Sequence, residues 1–224
     1  MKPRGLIAAA ALVLGVVLGA GASAAEPPKK VLKLAFRTAE TSFDPAKVND
    51  IYSIAITGHI FEGLYAYDYL ALPAKIRPRL AAGPPEPSAD FKTWTVKLRS
   101  GITFADDPAF KGARRELVAQ DVIYGLQRIA DPANKSPNWG VIDASAGFVG
   151  LAEVRQAALD AKKPFNYDAP LEGLKALDRY TVQFKLREPR PRLPFLLTRG
   201  EVYGAQAREV VEFYGDKIDQ HPVG

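Results

Sequence analysis

Two stretches alternate strictly between apolar and polar side chains, and they restrict the fold more than any other feature of the chain. In residues 93–99, Trp94, Val96 and Leu98 share one face, while Thr93, Thr95, Lys97 and Arg99 share the other. In residues 179–186, Tyr180, Val182, Phe184 and Leu186 stand against Thr181, Gln183 and Lys185. Period-two patterning is that of a half-buried strand. Such strands favour an antiparallel sheet with one wet face. About eighty residues of mixed character lie between them, so strands and helices are interspersed. The expected class is α+β or α/β, with no internal repeat.

The remaining elements follow from spacing and breakers. Residues 31–36 read as a mostly buried strand, and 38–47 as a polar loop turned by Asp44-Pro45. Asn49 or Asp50 can cap a helix over about 51–62, apolar on more than one side and so expected inside a domain. Gly63 suits the position after its end. Tyr65, Tyr67 and Tyr69 alternate as one face of an extended strand, by default a packed sheet face. Five prolines in 72–88 exclude a helix or an interior strand there and imply an extended connector. Helices are predicted over 119–130, with Val122, Ile123, Leu126 and Ile129 inward, over 150–162, with Leu151, Val154, Ala158 and Leu159 aligned, and over 205–214, closed by Gly215.

The N-terminus reads as an address. Lys2 and Arg4 precede an unbroken apolar run over 6–18, then small residues over 19–25. This is a secretory signal, with cleavage expected before Ala25 or Glu26. The run is short for a membrane span of about 20 residues. Gly19-Ala20-Gly21-Ala22-Ser23-Ala24 spells a dinucleotide fingerprint, but it lies inside the signal without the strand and helix that would give it meaning. Removing Lys2 and Arg4 leaves 28 Lys+Arg against 25 Asp+Glu, a net charge of +3. With no arginine-rich run, a nucleic-acid partner is not supported.

Composition then closes several chemical routes. The chain has no cysteine, which excludes disulfides, thiolate metal sites, a cysteine nucleophile and a lipidated N-terminal cysteine. Two histidines are too few for a multi-histidine zinc site. His59 falls in the predicted helix and reads as a core or boundary residue. Asp106-Asp107-Pro108 reads as a solvated turn before a cation site. No catalytic motif is present, and neither cofactor nor metal is implied. A secreted hydrolase using Glu40 and Asp44 as an acid–base couple is the enzymatic alternative.

Seven phrases in order carry a resemblance: residues 39–45 (AETSFDP), 60–65 (IFEGLY), 78–81 (PRLA), 93–104 (TWTVKLRSGITF), 119–122 (AQDV), 177–182 (LDRYTV) and 221–224 (HPVG). Together these resemble the extracellular solute-binding proteins, family 5, the peptide, dipeptide and nickel receptors of ABC importers. The resemblance implies a type II periplasmic-binding-protein fold, a two-lobed clamp whose first lobe bears an extra subdomain. It would divide the chain into a signal peptide (1–25), the start of lobe I (26–64), the extra subdomain (65–186) and a return to lobe I (187–224). Family members are more than twice this long, and Pro222-Val223-Gly224 is similar to a phrase that there leads into further sequence. The chain is therefore expected to be incomplete, ending before lobe II.

The implied function is capture of a short peptide or related solute and its delivery to an ABC permease of the inner membrane. The protein would be a soluble periplasmic monomer, exported, cleaved and not lipidated, and not an enzyme. In the family, first-lobe ligand contacts cluster after the first strand and at the start of the next helix. That maps to Asn49, Asp50, Ile51 and Tyr52, with Thr41 and Ser42 nearby. Read as residues alone, Asn49 or Asp50 can be a helix cap and Ile51 core. A periplasmic peptide sensor or chaperone is a further alternative.

Overall fold

The computed structural model describes residues 30–224. The expected signal, 1–25, lies outside the described residues. The chain divides into residues 1–35 and a compact unit of residues 36–224.

The two alternating stretches form the centre of that unit. Strands β1 (Tyr65–Asp68) and β2 (Lys75–Pro78) make a two-stranded hairpin. Strands β3 (Glu86–Pro87), β4 (Thr93–Lys97), β5 (Leu174–Asp178) and β6 (Thr181–Lys185) form a second, antiparallel sheet in the order β3-β4-β6-β5. In the β4–β6 pair, Trp94 lies opposite Phe184 and Val96 opposite Val182, so the apolar faces of both strands coincide. Trp94, Val96, Leu98, Val182, Phe184 and Leu186 are all buried, and Lys97 and Lys185 are exposed. Thr181, expected in water, is buried instead. The prolines of 72–88 sit where their missing donors are harmless: Pro78 at the end of β2, Pro87 in the two-residue edge strand β3, and Pro73, Pro84 and Pro85 outside the strands.

The first helix, α1, spans Ile51–Thr57 and is followed by α2 (Ala119–Ala130), α3 (Trp139–Ser145), α4 (Leu151–Ala161), α5 (Leu193–Leu196), α6 (Gly200–Tyr203) and α7 (Arg208–Tyr214). Helix α2 is the spine of the core. Val122, Ile123, Leu126 and Ile129 are buried as its spacing requires, and Gln120 is its one residue outside the buried set. Asp131 stops it and caps the short turn Pro132–Asn134. On α4, Leu151 is buried, but Leu159 is 45% exposed, because the helix lies at the margin of the core.

Four expectations are corrected. Residues 31–36 form no strand, and Val31, Leu32 and Leu34 are exposed. An isolated strand leaves its backbone unpaired, and no described strand pairs with this one. Helix α1 ends at Thr57, not near 62, and it buries Ser53 and Thr57 while Ile51 faces solvent. Its buried polar groups are satisfied: Ser53 accepts from the backbone N–H of Thr41, and Thr57 donates to the Ser53 carbonyl. His59 accordingly lies in the exposed turn beyond the helix. Gly63 is not a left-handed helix stop. A Cβ there would stand 2.6 Å from the Thr198 carbonyl oxygen, and one on Gly200 would stand 2.3 Å from the Gly63 nitrogen. These glycines let two backbones touch.

Candidate functional site

The six candidate residues lie on a turn and the helix it feeds. Asp50 is extended (φ −92°, ψ 153°) and is the N-cap of α1. One carboxylate oxygen accepts from the backbone N–H groups of Tyr52 and Ser53, at 3.0 and 2.9 Å, and the other accepts from the Thr41 hydroxyl at 2.6 Å. Hydrogen bonds from Ser53, then Thr41, hold the Asp50 carboxyl well below the usual carboxylate range. Ser53 also ties down the incoming chain, accepting from the N–H groups of Thr41 (2.9 Å) and Ser42 (3.4 Å). Thr41, Ser42, Asp50 and Tyr52 thus belong to one hydrogen-bonded network.

Asn49 and Ile51 stand outside it. Asn49 is exposed and leaves the cap to Asp50, and Ile51, at 73% exposed, is not the core residue its type suggests. The Tyr52 ring packs on Phe36 at 5.0 Å between centroids. The arrangement displays an amide, an aliphatic side chain and a phenol from a turn whose Tyr52 and Ser53 N–H groups are already engaged by Asp50. It can offer hydrogen bonds and apolar contact to a small polar chain molecule.

Residue types alone did not single out two further parts. Asn138 sits at the start of α3, yet its amide does not cap that helix. It donates to the Val48 carbonyl at 2.8 Å and so fixes the turn from the other side. Trp139 follows, half-buried under the Arg155 guanidinium at 5.1 Å. Below the turn, Asp44 and Arg128 form a fully buried bidentate pair, 2.6 and 2.9 Å, with Gln206 joined to Arg128. Burial opposes the charge on Arg128, but Asp44 more than compensates, and the guanidinium is raised above its ordinary pKa. Arg128 stands in the last turn of α2, where a cation suits the helix dipole. Its true partner lies 84 positions away.

This disposes of the acid–base couple. Both oxygens of Asp44 are engaged by Arg128 in the interior, whereas Glu40 is in solvent. Asp107 caps the turn Pro108–Phe110 and accepts from the Tyr214 hydroxyl. Among the described residues no cluster of three histidines or carboxylates is spaced to hold a metal. A hollow of about 680 Å³ between α2 and β5 is lined by none of the six candidates. Its arginines are committed, Arg115 to Asp121 and Glu209, and Arg208 to Asp168 and Glu212.

Comparison with known proteins gives a consistent picture. Residues 75–224 match the family described as bacterial extracellular solute-binding proteins, family 5 Middle. The periplasmic oligopeptide-binding protein OppA of Salmonella typhimurium is 28% identical over 219 residues, 95% of this chain and 36% of that protein. The di/tripeptide-binding protein 2 of Pseudomonas aeruginosa is 25% identical over 231 residues, 100% of this chain and 39% of that protein. Among solved structures, the peptide-binding pheromone receptor PrgZ superposes with a TM-score of 0.65 at 28% identity, over 83% of this chain and 33% of its own. Such neighbours have the type II periplasmic-binding-protein fold. The chain spans little more than a third of the length of these curated relatives.

Proposed function

This chain belongs to the bacterial extracellular solute-binding proteins of family 5, and from that premise we propose that it serves solute import as part of a periplasmic receptor for short peptides. In this reading, residues 26–64 and 187–224 contribute to a first lobe and 65–186 to its extra subdomain. The receptor passes its load to an ABC permease of the inner membrane and has no enzymatic role. Export with removal of residues 1–25, a soluble form and a monomeric state belong to the same proposal.

One observation carries the site assignment. The turn at 49–52 is braced from beneath by Asp50, Ser53, Thr41 and Asn138, yet it leaves Asn49 and Ile51 in solvent. A rigid turn with a displayed amide and aliphatic side chain suits an extended peptide, which presents backbone donors and acceptors beside side chains of varied size. Thr41, Ser42 and Asp50 are then positioning residues. Asn49, Ile51 and Tyr52 are the contacts.

An open wall holds a peptide weakly, because each hydrogen bond exchanged against water nets only about 0.5–1.5 kcal/mol. Two or three such bonds correspond to a Kd of roughly millimolar or weaker. Trp139, next to Asn138, is the natural reporter. Titration with a mixed short-peptide library should change its emission with a Kd in that range, and Asn49→Ala and Ile51→Ala should each weaken the response. An unchanged titration in both variants would remove the turn from the site. Micromolar binding would mean that these residues enclose the ligand more fully than one wall can.

A further inference from the structure

The β1–β2 hairpin ends in an apolar tip that the rest of the described molecule does not cover. Tyr69, Leu70 and Leu72 are 85%, 80% and 97% exposed. Large side chains this bare, three within four positions, differ from the scattered exposed leucines of ordinary surfaces.

The tip is flanked by cations on two sides. Within the hairpin, Tyr67 lies opposite Ile76 on one face, and Ala66, Asp68, Lys75 and Arg77 share the other. Asp68 is the hairpin's single carboxylate, set against Lys75 and Arg77. Neither cation makes an ion pair among the described residues, unlike nearby Arg79, which is held by Glu62. On the opposite face, Tyr67 packs on Phe195 at 5.9 Å. Phe195 and Leu196 line an apolar groove of about 610 Å³ rimmed by Arg190 and Arg192. Arg190 donates to the Ala144 carbonyl, so neither of these two arginines has a carboxylate partner among the described residues.

The order along the hairpin matters as much as the charges. Leu70 and Leu72 form the apex, Tyr69 comes next, and Lys75 lies three positions beyond Leu72. Three residues of extended chain span about 10 Å. A bilayer surface has the same sequence of layers over a similar depth: hydrocarbon, then the interface that tyrosine prefers, then the phosphates. A projecting tip can enter a fluid layer without a matching pocket, and this favours lipid over a protein partner.

We propose that the β1–β2 hairpin contacts membrane. Tyr69, Leu70 and Leu72 enter the interfacial layer of a bilayer carrying anionic phospholipid, and Lys75, Arg77, Arg190 and Arg192 engage the headgroup phosphates. A receptor that unloads at a membrane-embedded partner would then find it by diffusion over a surface.

A local reporter tests this in the full chain, independently of any contribution from the N-terminal apolar run. Leu70→Trp should give blue-shifted emission with vesicles of phosphatidylcholine and phosphatidylglycerol, and brominated acyl chains should quench it. Vesicles of phosphatidylcholine alone should give little shift. Val141→Trp, at another exposed position, should stay unchanged. Adding Leu72→Ser should lower partitioning roughly tenfold or more. Arg77→Gln with Arg192→Gln should do likewise, each cation contributing about fivefold near an anionic surface, and added salt should mimic that loss. These side chains are in solvent, so circular dichroism should be that of the parent. No shift with anionic vesicles, or an equal shift at Val141, would overturn the proposal. So would a concentration-dependent shift without lipid, which would make the tip a contact between copies of the chain.

Discussion

Asp44 shows how position decides what a carboxylate can do. Its neighbours in the sequence suggest a solvated turn, yet it is wholly buried against Arg128 and Gln206. Removing one member of such a pair strands the other charge in the interior, at a cost of about 3–5 kcal/mol. Asp44→Ala should lower stability in urea denaturation by that order, and Glu40→Ala should be nearly silent. Asp50 is the surface counterpart. Its pKa is depressed by hydrogen bonds from Ser53 and Thr41, so its contribution is complete above the unfolded aspartate value of about 3.9 and is lost as pH falls below it. Asp50→Asn keeps an N-cap of similar quality but removes the charge, so it should lower stability at neutral pH through the weakened charge-assisted hydrogen bonds from Ser53 and Thr41. That difference from the parent should vanish in acid. A constant difference from pH 7 to strongly acid solution would mean that the charge takes no part.

At the scale of elements, β4 and β6 permit a sharp comparison. A one-residue slip would invert every side chain of a half-buried strand. Val96→Asp should thus destabilise by several kcal/mol, while Lys97→Asp, one position on, should be close to neutral. Equal losses in thermal melts would contradict the register. These strands and α2 were legible because their burial is local in origin: one face, one period, one set of apolar residues. Helix α1 was not legible for the opposite reason. Its buried side chains are Ser53 and Thr57, satisfied by the backbone of residues 41, 42 and 53, so its apolar residues misreport which side faces inward. The same holds for Gly63, whose role depends on Thr198 and Gly200 far along the chain. The candidate turn was found through a family resemblance. Its bracing by Ser53 and Asn138 became visible only with the chain folded.

Considered whole, the unit of residues 36–224 is held by ties between distant parts of the chain. Arg115 joins Asp121 to Glu209, Asn138 joins α3 to residue 48, and Arg128 joins α2 to Asp44. Fold class, the buried faces of β4 and β6, and family follow from short-range pattern and ordered phrases, but these ties do not, since no period links residues so far apart. The Asp44–Arg128 pair spans 84 positions, and closing a flexible loop of that length costs roughly 4 kcal/mol of chain entropy beyond a constant. Its attraction is strong only after water has left, when α2 already lies on the sheet. The tie therefore belongs to the descent from the transition state and not to the climb. In stopped-flow experiments Asp44→Ala should leave the refolding rate almost unaltered and take its whole effect as faster unfolding, by two orders of magnitude or more for a loss of about 3 kcal/mol. The buried pair would then act as a latch that sets how long each folded molecule lasts, without setting how fast it forms.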